Sequence, residues 1–359
     1  MFGFRFRPRA AAATGVLAVG LAAALAGCIP AAAPDPALWT SRALAAQLVI
    51  AQLPMSQLAL ARTWAAQDLG GITIIGGPPA DLAAQLRLVR AASGGVPMLI
   101  TSDEEGGQVQ RLGRVIYPLP SALWMGTHWT PATITNTARA YGLRMKALGV
   151  DTELAPDSDL SIPGYYIASQ YRAFSGDPAV VAADVKAWNA GMKAAGVLSV
   201  VKHWPGHGQA TNTHLGVAVT PALPVLAARD MLPFNAAFAA GAPAVMVGHL
   251  DVPGLTGGLP ATLSPAAYSY LRARTGPNML IMTDSMSMRG VTSALGQSPV
   301  TAALRALQAG ADVVLTDDRT PFAEVTAIAH AIDTGAYPRT RALASVRRML
   351  AAKRSVGDR

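Results

Sequence analysis

This 359-residue chain predicts a single (β/α)8 barrel of the α/β class behind an export leader. Three observations predict it: eight strand-length apolar runs, helix-compatible segments between them, and polar clusters gathered where several runs end. Strands alternating with helices pair in parallel through right-handed crossovers, and such a barrel carries its functional groups at the C-terminal ends of its strands. A doubly wound sheet is the alternative. Against it, Gly70-Gly71 and Gly76-Gly77 lack the Gly-x-Gly-x-x-Gly spacing, and no Walker loop occurs.

The elements follow in order. Arg5, Arg7 and Arg9 precede an alanine-rich apolar run over 10–26, too short for a comfortable membrane span, and then Leu25-Ala26-Gly27-Cys28. This end resembles a bacterial lipobox, which implies a signal peptide over 1–27, cleavage before Cys28 and lipidation of Cys28. A proline- and alanine-rich tether over 28–37 leads to the barrel domain over 38–359. The apolar runs lie at 48–53, 72–75, 96–100, 150–154, 197–201, 244–247, 279–282 and 312–315. Pro97 falls near the start of the third, where a strand tolerates it. Helix-compatible segments cover 79–93, 135–146, 179–194, 227–240, 264–274 and 302–309.

Composition narrows the function. Cys28 is the only cysteine, so no intramolecular disulfide can form and the core must supply the stability. Lys and Arg number 29 against 21 Asp and Glu; without the three leader arginines the balance is 26 − 21 = +5. The cations are dispersed, which argues against nucleic acid, and Arg347, Arg348, Lys353 and Arg354 read as the solvated face of a final helix.

The chemistry gathers at three run ends. The third run opens into Thr101-Ser102-Asp103-Glu104-Glu105-Gly106-Gly107, the fifth into Lys202-His203-Trp204-Pro205-Gly206-His207 and on to His214, and the seventh into Thr283-Asp284-Ser285-Met286. Residue types alone leave alternatives open. The imidazoles suit catalysis, metal binding or loop anchoring, and Asp284 suits a helix N-cap as well as a catalytic carboxylate. The interval between His203 and His207 would place both on one helix face, but Pro205, Gly206 and Gly208 disfavour a helix and no carboxylate sits at ligand spacing. No metal is therefore expected. Met279, Met282, Met286 and Met288 read as packing, and Trp204, Tyr165 and Tyr166 could stack on a sugar.

Taken together, Asp103 through Leu112, Arg172-Ala-Phe-Ser-Gly-Asp177, Lys202 through Gly208, Pro260-Ala-Thr-Leu-Ser264 and Thr283 through Met288 resemble glycoside hydrolase family 3, specifically its single-domain β-N-acetylglucosaminidases. The resemblance implies that Asp284 is the nucleophile of a retaining mechanism and His214 its acid/base. Asn212, two residues before His214, occupies the position where the family pattern has an orienting aspartate, and the loop is one residue shorter than that pattern. Asparagine can accept a hydrogen bond from the ring but supplies no charge to favour imidazolium, which implies a weaker acid. By the same resemblance Asp103, Arg111, Arg172, Lys202 and His203 bind the sugar hydroxyls, while His249 and Asp159 support the strand ends. Gln108 stands where the family usually has arginine.

The activity this implies is exo-acting removal of terminal N-acetylglucosamine (GlcNAc) from peptidoglycan fragments or related glycans. It implies a monomeric lipoprotein anchored outside the cytoplasmic membrane, and no cofactor. Two alternatives remain open at the level of sequence: phosphorolysis of the same bond, and a glycan-binding lipoprotein weakened in catalysis by Asn212.

Overall fold

The computed structural model describes residues 35–296, 298–317 and 320–357. The leader over 1–27, Cys28 and all of the tether up to residue 34 lie outside the described residues. Among the described residues no helix is long and apolar enough to cross a membrane.

Eight parallel strands close into a barrel in the order of the chain. They are β1 Val49–Pro54, β2 Gly71–Ile75, β3 Leu99–Ser102, β4 Thr152–Glu153, β5 Leu198–Trp204, β6 Ala244–Val247, β7 Leu280–Ser285 and β8 Val313–Thr316. Closure comes from β1, which pairs with β2 through Ile50↔Gly71 and with β8 through Val49↔Val314. Each run expected to be a strand is one. β3 begins at Leu99 rather than at residue 96, because Pro97 has no amide proton for the ladder.

Strand alternation fixes what faces the barrel axis. Ile50, Leu99, Leu154, Leu198, Val200, Ala244, Met246, Leu280, Met282, Val313 and Leu315 form one buried interior cluster. Met349, Ala352 and Val356 join it from the C-terminal segment, closing the end of the barrel opposite the strand C-termini. Stepping two residues further along β5 and β7, and four along the line of β3 through Thr101, brings Lys202, Asp284 and Asp103 to the mouth on the same inward face.

A larger apolar cluster fills the space between the strands and the outer helices. Helix Pro131–Leu148 starts on Thr130, whose hydroxyl accepts from Thr133 N–H, and stops at Gly149 with φ 96°. Its neighbour Pro178–Ala195 is capped in the same way by Asp177 and Gly196. The two approach so closely that a Cβ on Gly191 would stand 2.4 Å from the Thr135 carbonyl oxygen. The segment expected to be one helix over 227–240 is instead two, Leu223–Ala228 and Leu232–Ala239. Pro233 can occupy only the first turn of a helix, so a new one starts there.

Candidate active site

The barrel mouth holds a cavity of about 480 Å³ lined by Asp103, Arg111, Arg172, Lys202, His203, His214 and Asp284, with Tyr166, Met246 and Leu315 among the remaining walls. All seven charged or imidazole residues expected at the site thus share one cavity.

On one side of the mouth, carboxylates and cations alternate. Lys202 Nζ donates to Asp103 Oδ1 at 2.9 Å and lies 2.6 Å from Glu105 Oε1. Arg172 grips Glu105 with two parallel bonds, Nε to Oε2 at 2.7 Å and Nη2 to Oε1 at 2.8 Å. Such bidentate pairs fix geometry as well as charge. Burial alone would raise the Glu105 carboxyl, but Arg172 and Lys202 outweigh it and hold the group well below the ordinary carboxylate range. Burial likewise opposes the Lys202 charge, yet Asp103 and Glu105 push its ammonium above its ordinary value. Arg111 reaches Asp103 at 3.6 Å from the outer edge.

His203 joins this network to the loop after β4. Arg172 can only donate, so its Nη2 at 3.3 Å makes His203 Nε2 an acceptor and leaves the ring proton on Nδ1. That proton is donated to Asp159 Oδ2 at 2.8 Å. Burial, reinforced by Arg172, lowers the His203 pKa and keeps the ring neutral. Asp159 also accepts from the backbone N–H of His203 and, at 2.6 Å, from that of His207. Burial raises its carboxyl to about 6. His207 closes the turn by donating Nε2–H to the Thr211 carbonyl at 2.7 Å, and burial drives its pKa down to about 3. It therefore braces the loop, and Asp159 and His249 support strand ends as expected.

Asp284 stands at the end of β7, where the Ser285 backbone N–H donates to its Oδ1 at 2.7 Å. Burial would raise its carboxyl, but its polar surroundings, this amide and the Lys202 ammonium among them, bring it below the ordinary value, so it is ionised near neutrality. His249 pins the same turn: Nε2–H donates to the Ser285 carbonyl at 2.7 Å, and Nδ1 accepts from the Thr262 hydroxyl at 2.9 Å. This is the structural use of the Pro260-Ala-Thr-Leu-Ser264 segment.

His214 rides on the long loop after β5. Asn212 Oδ1 accepts from both its backbone N–H at 3.0 Å and its ring Nδ1–H at 2.9 Å, leaving Nε2 free to exchange a proton. Tyr166 flanks the imidazole with ring centroids 6.4 Å apart. The loop is tied to the Asp284 side of the mouth, because Gly290 N–H donates to the Thr213 carbonyl at 2.8 Å.

Two expectations change. Asp159, His203 and His207 bring their potential ligand atoms within 4.8 Å of one another, so a carboxylate does join the histidines, from the preceding loop rather than by local spacing. These donors are already committed to hydrogen bonds, and Arg172 faces His203; the cluster is a loop scaffold in this arrangement. Trp204 is fully buried, with its ring 6.4 Å from that of Tyr270 in the helical layer, so it cannot stack on a ligand in the cavity. Sequence reasoning also passed over Glu105. Alternation from Asp103 would have placed it inward, whereas Glu104 points out, accepting from Tyr141 OH at 2.6 Å and Ser102 at 2.5 Å.

The family model described as "Glycosyl hydrolase family 3 N terminal domain" matches residues 46–352. The chain is 38% identical over 258 residues to the beta-hexosaminidase LpqI of Mycobacterium tuberculosis, a match spanning 69% of this chain and 66% of that protein. It is 38% identical over 250 residues to a beta-hexosaminidase of Stenotrophomonas maltophilia, spanning 66% and 70% of the two. Among solved structures, a family 3 glycosyl hydrolase of Mycobacterium smegmatis superposes with a TM-score of 0.81 at 35% identity over 89% of this chain and 98% of that one. A family 3 beta-N-acetylglucosaminidase of Paenibacillus gives 0.82 at 30% identity over 89% and 63%.

Proposed function

The chain belongs to glycosyl hydrolase family 3, and on that premise we propose that it is a retaining exo-β-N-acetylglucosaminidase. The observation that carries the reading is an ionised Asp284 in a cavity that Asp103, Lys202 and Arg172 also line, the two cations both held by Glu105. The names of its relatives, beta-hexosaminidase and beta-N-acetylglucosaminidase, support the sugar.

The terminal GlcNAc sits with its hydroxyls against Asp103, Lys202, Arg172 and His203, whose polar groups are held in place before any ligand arrives. Arg111 contacts the sugar from the outer edge. Asp284 attacks the anomeric carbon while His214 Nε2 gives a proton to the departing glycosidic oxygen, so the C–O bond breaks as the ester bond forms. His214, now neutral, takes a proton from water. The water oxygen attacks the same carbon, Asp284 leaves as carboxylate, and the configuration is retained. Asn212 holds the ring's tautomer and direction through Nδ1–H. It adds no negative charge beside the ring.

The natural substrates in this reading are peptidoglycan fragments or related GlcNAc glycans, met outside the cytoplasmic membrane by a protein anchored through lipidated Cys28. The leader pattern supports that placement; metabolic labelling with a radioactive fatty acid, lost in Cys28→Ala, tests it. The activity is tested with an aryl β-N-acetylglucosaminide. Wild-type turnover that vanishes in Asp284→Ala is the expected result. Wild-type silence relieved by Asn212→Asp would replace the glycosidase with a glycan binder or with transfer to an acceptor other than water, such as phosphate.

A further inference from the structure

Among the described residues, the two large aromatic side chains most open to solvent are Tyr171 (53% exposed) and Trp124 (43%). The fold brings their segments together. Leu123 N–H donates to the Tyr171 carbonyl at 3.2 Å. The short helix Ala122–His128 lies so close to the following segment that a Cβ on Gly126 would stand 2.2 Å from the Phe174 carbonyl oxygen. Tyr171 holds a left-handed backbone, φ 56°, immediately before Arg172, whose side chain turns into the cavity to grip Glu105.

The Trp124 ring is itself held in place. His128 stacks on one face, with centroids 4.2 Å apart and planes 7° from parallel, and Trp129 meets it edge-on at 5.7 Å. His128 Nδ1 is fixed to the helix by the Trp124 carbonyl at 2.9 Å. This buttressing holds the exposed Trp124 ring in one orientation before any ligand arrives. Its flat π surface, with hydroxyl and imidazole groups beside it, suits the C–H face of a pyranose ring, and needs little ordering on binding.

We propose that Trp124 and Tyr171 form a glycan-binding shelf outside the catalytic cavity, taking pyranose rings of a β-linked aminosugar chain whose terminal residue occupies the cavity. The proposal rests on the glycosidase reading for the identity of the sugar. Its occupant is committed by the position of Tyr171 in the chain, next to Arg172, whose side chain lines the cavity, so that a glycan leaving the cavity past Arg172 runs toward the aromatic faces. A monosaccharide substrate would not reach the shelf. Longer chains would gain affinity there without any change in the chemical step.

The test compares two substrates in wild type, Trp124→Ala, Trp124→Phe and Tyr171→Asn, the asparagine being chosen because it tolerates the left-handed backbone. On the aryl monosaccharide, kcat/KM should stay within twofold in every variant. On the GlcNAc tetrasaccharide, Trp124→Ala and Tyr171→Asn should raise KM about tenfold with kcat unchanged, and Trp124→Phe should recover most of the loss. Equal losses on both substrates, or no loss on either, overturn the shelf. So does a fall in oligomeric state on Trp124→Ala, which would make this face a contact between copies of the chain. Binding of the tetrasaccharide to Asp284→Ala, read by tryptophan fluorescence, separates the two readings. Binding that depends on Trp124 keeps the shelf even if wild type hydrolyses nothing, and binding that ignores Trp124 removes it even if wild type is active.

Discussion

Gly290→Ala should damage acid catalysis while sparing the nucleophile. Gly290 lies in the first turn of the helix Arg289–Leu295 that follows β7, and its N–H holds the Thr213 carbonyl one residue before His214. A Cβ there would stand 2.9 Å from that carbonyl oxygen, 3.0 Å from His249 Cβ and 3.2 Å from the Gly216 carbonyl oxygen. These contacts fall short of ordinary van der Waals separation, which begins at 3.4 Å, by up to about 0.5 Å at the Thr213 oxygen. Two of the three obstructing atoms are backbone of the His214 loop, whereas His249 is buried and hydrogen-bonded through both ring nitrogens. The loop is therefore what gives. A misplacement of 1 Å can cost about 100-fold, so a shift of half that size should cost about tenfold, or roughly 1.4 kcal/mol of transition-state stabilisation. The loss should appear only where the leaving group needs a proton. In kcat/KM, which reports the step up to glycosyl transfer to Asp284, a GlcNAc disaccharide should fall about tenfold and a dinitrophenyl glycoside less than twofold. Equal loss on both substrates would mean that the disturbance travels through His249 to Asp284, and would refute the latch. No loss on either would refute it as well.

Three further outcomes follow from the same network. Arg172→Lys replaces a two-bond grip on Glu105 by a single point charge, so kcat/KM should fall at least tenfold on both leaving groups alike; a loss confined to poor leaving groups would contradict its role on the sugar side. Lys202→Met leaves Glu105 and Asp103 short of a buried cation and should cost on the order of 3 kcal/mol of stability in urea unfolding, against no change if the pair were solvated. Burial raises Glu104 to about 7, so between pH 4.5 and 7 the folded state binds more protons than the unfolded chain and this group's contribution to stability falls as pH rises. Thermal unfolding of Glu104→Gln across that window should decline less steeply with pH than wild type; parallel curves would remove Glu104 from the account.

The barrel was legible because each strand is a short apolar run, and because an inward-facing period of two carries the pattern past the core to Asp103, Lys202 and Asp284. The same alternation marks Glu105 as inward, but its partner Arg172 is 67 residues away and no local pattern connects them. Asp159 was expected at a strand end, but its partners are hidden for a similar reason: its bonds go to the backbone and ring of His203 and the backbone of His207, more than 40 residues away. Trp204 misled because a tryptophan inside a histidine-rich loop reads as a ligand contact, whereas the strand turns it into the helical layer beside Tyr270. The break at Leu232 was written in Pro233, and the broad apolar pattern over 227–240 masked it. That Met349, Ala352 and Val356 close the barrel floor is a matter of tertiary packing, which a charged helix does not announce.

The central claim is that Asp284 forms the covalent bond to the sugar. Incubation of the enzyme with a slow fluorinated GlcNAc donor, followed by peptide mass spectrometry, tests it most directly. One added sugar should appear on the peptide carrying Asp284 and be absent in Asp284→Ala, with release on dilution slowed when His214 is removed. A sugar attached to another carboxylate, or full turnover in Asp284→Ala, would contradict it.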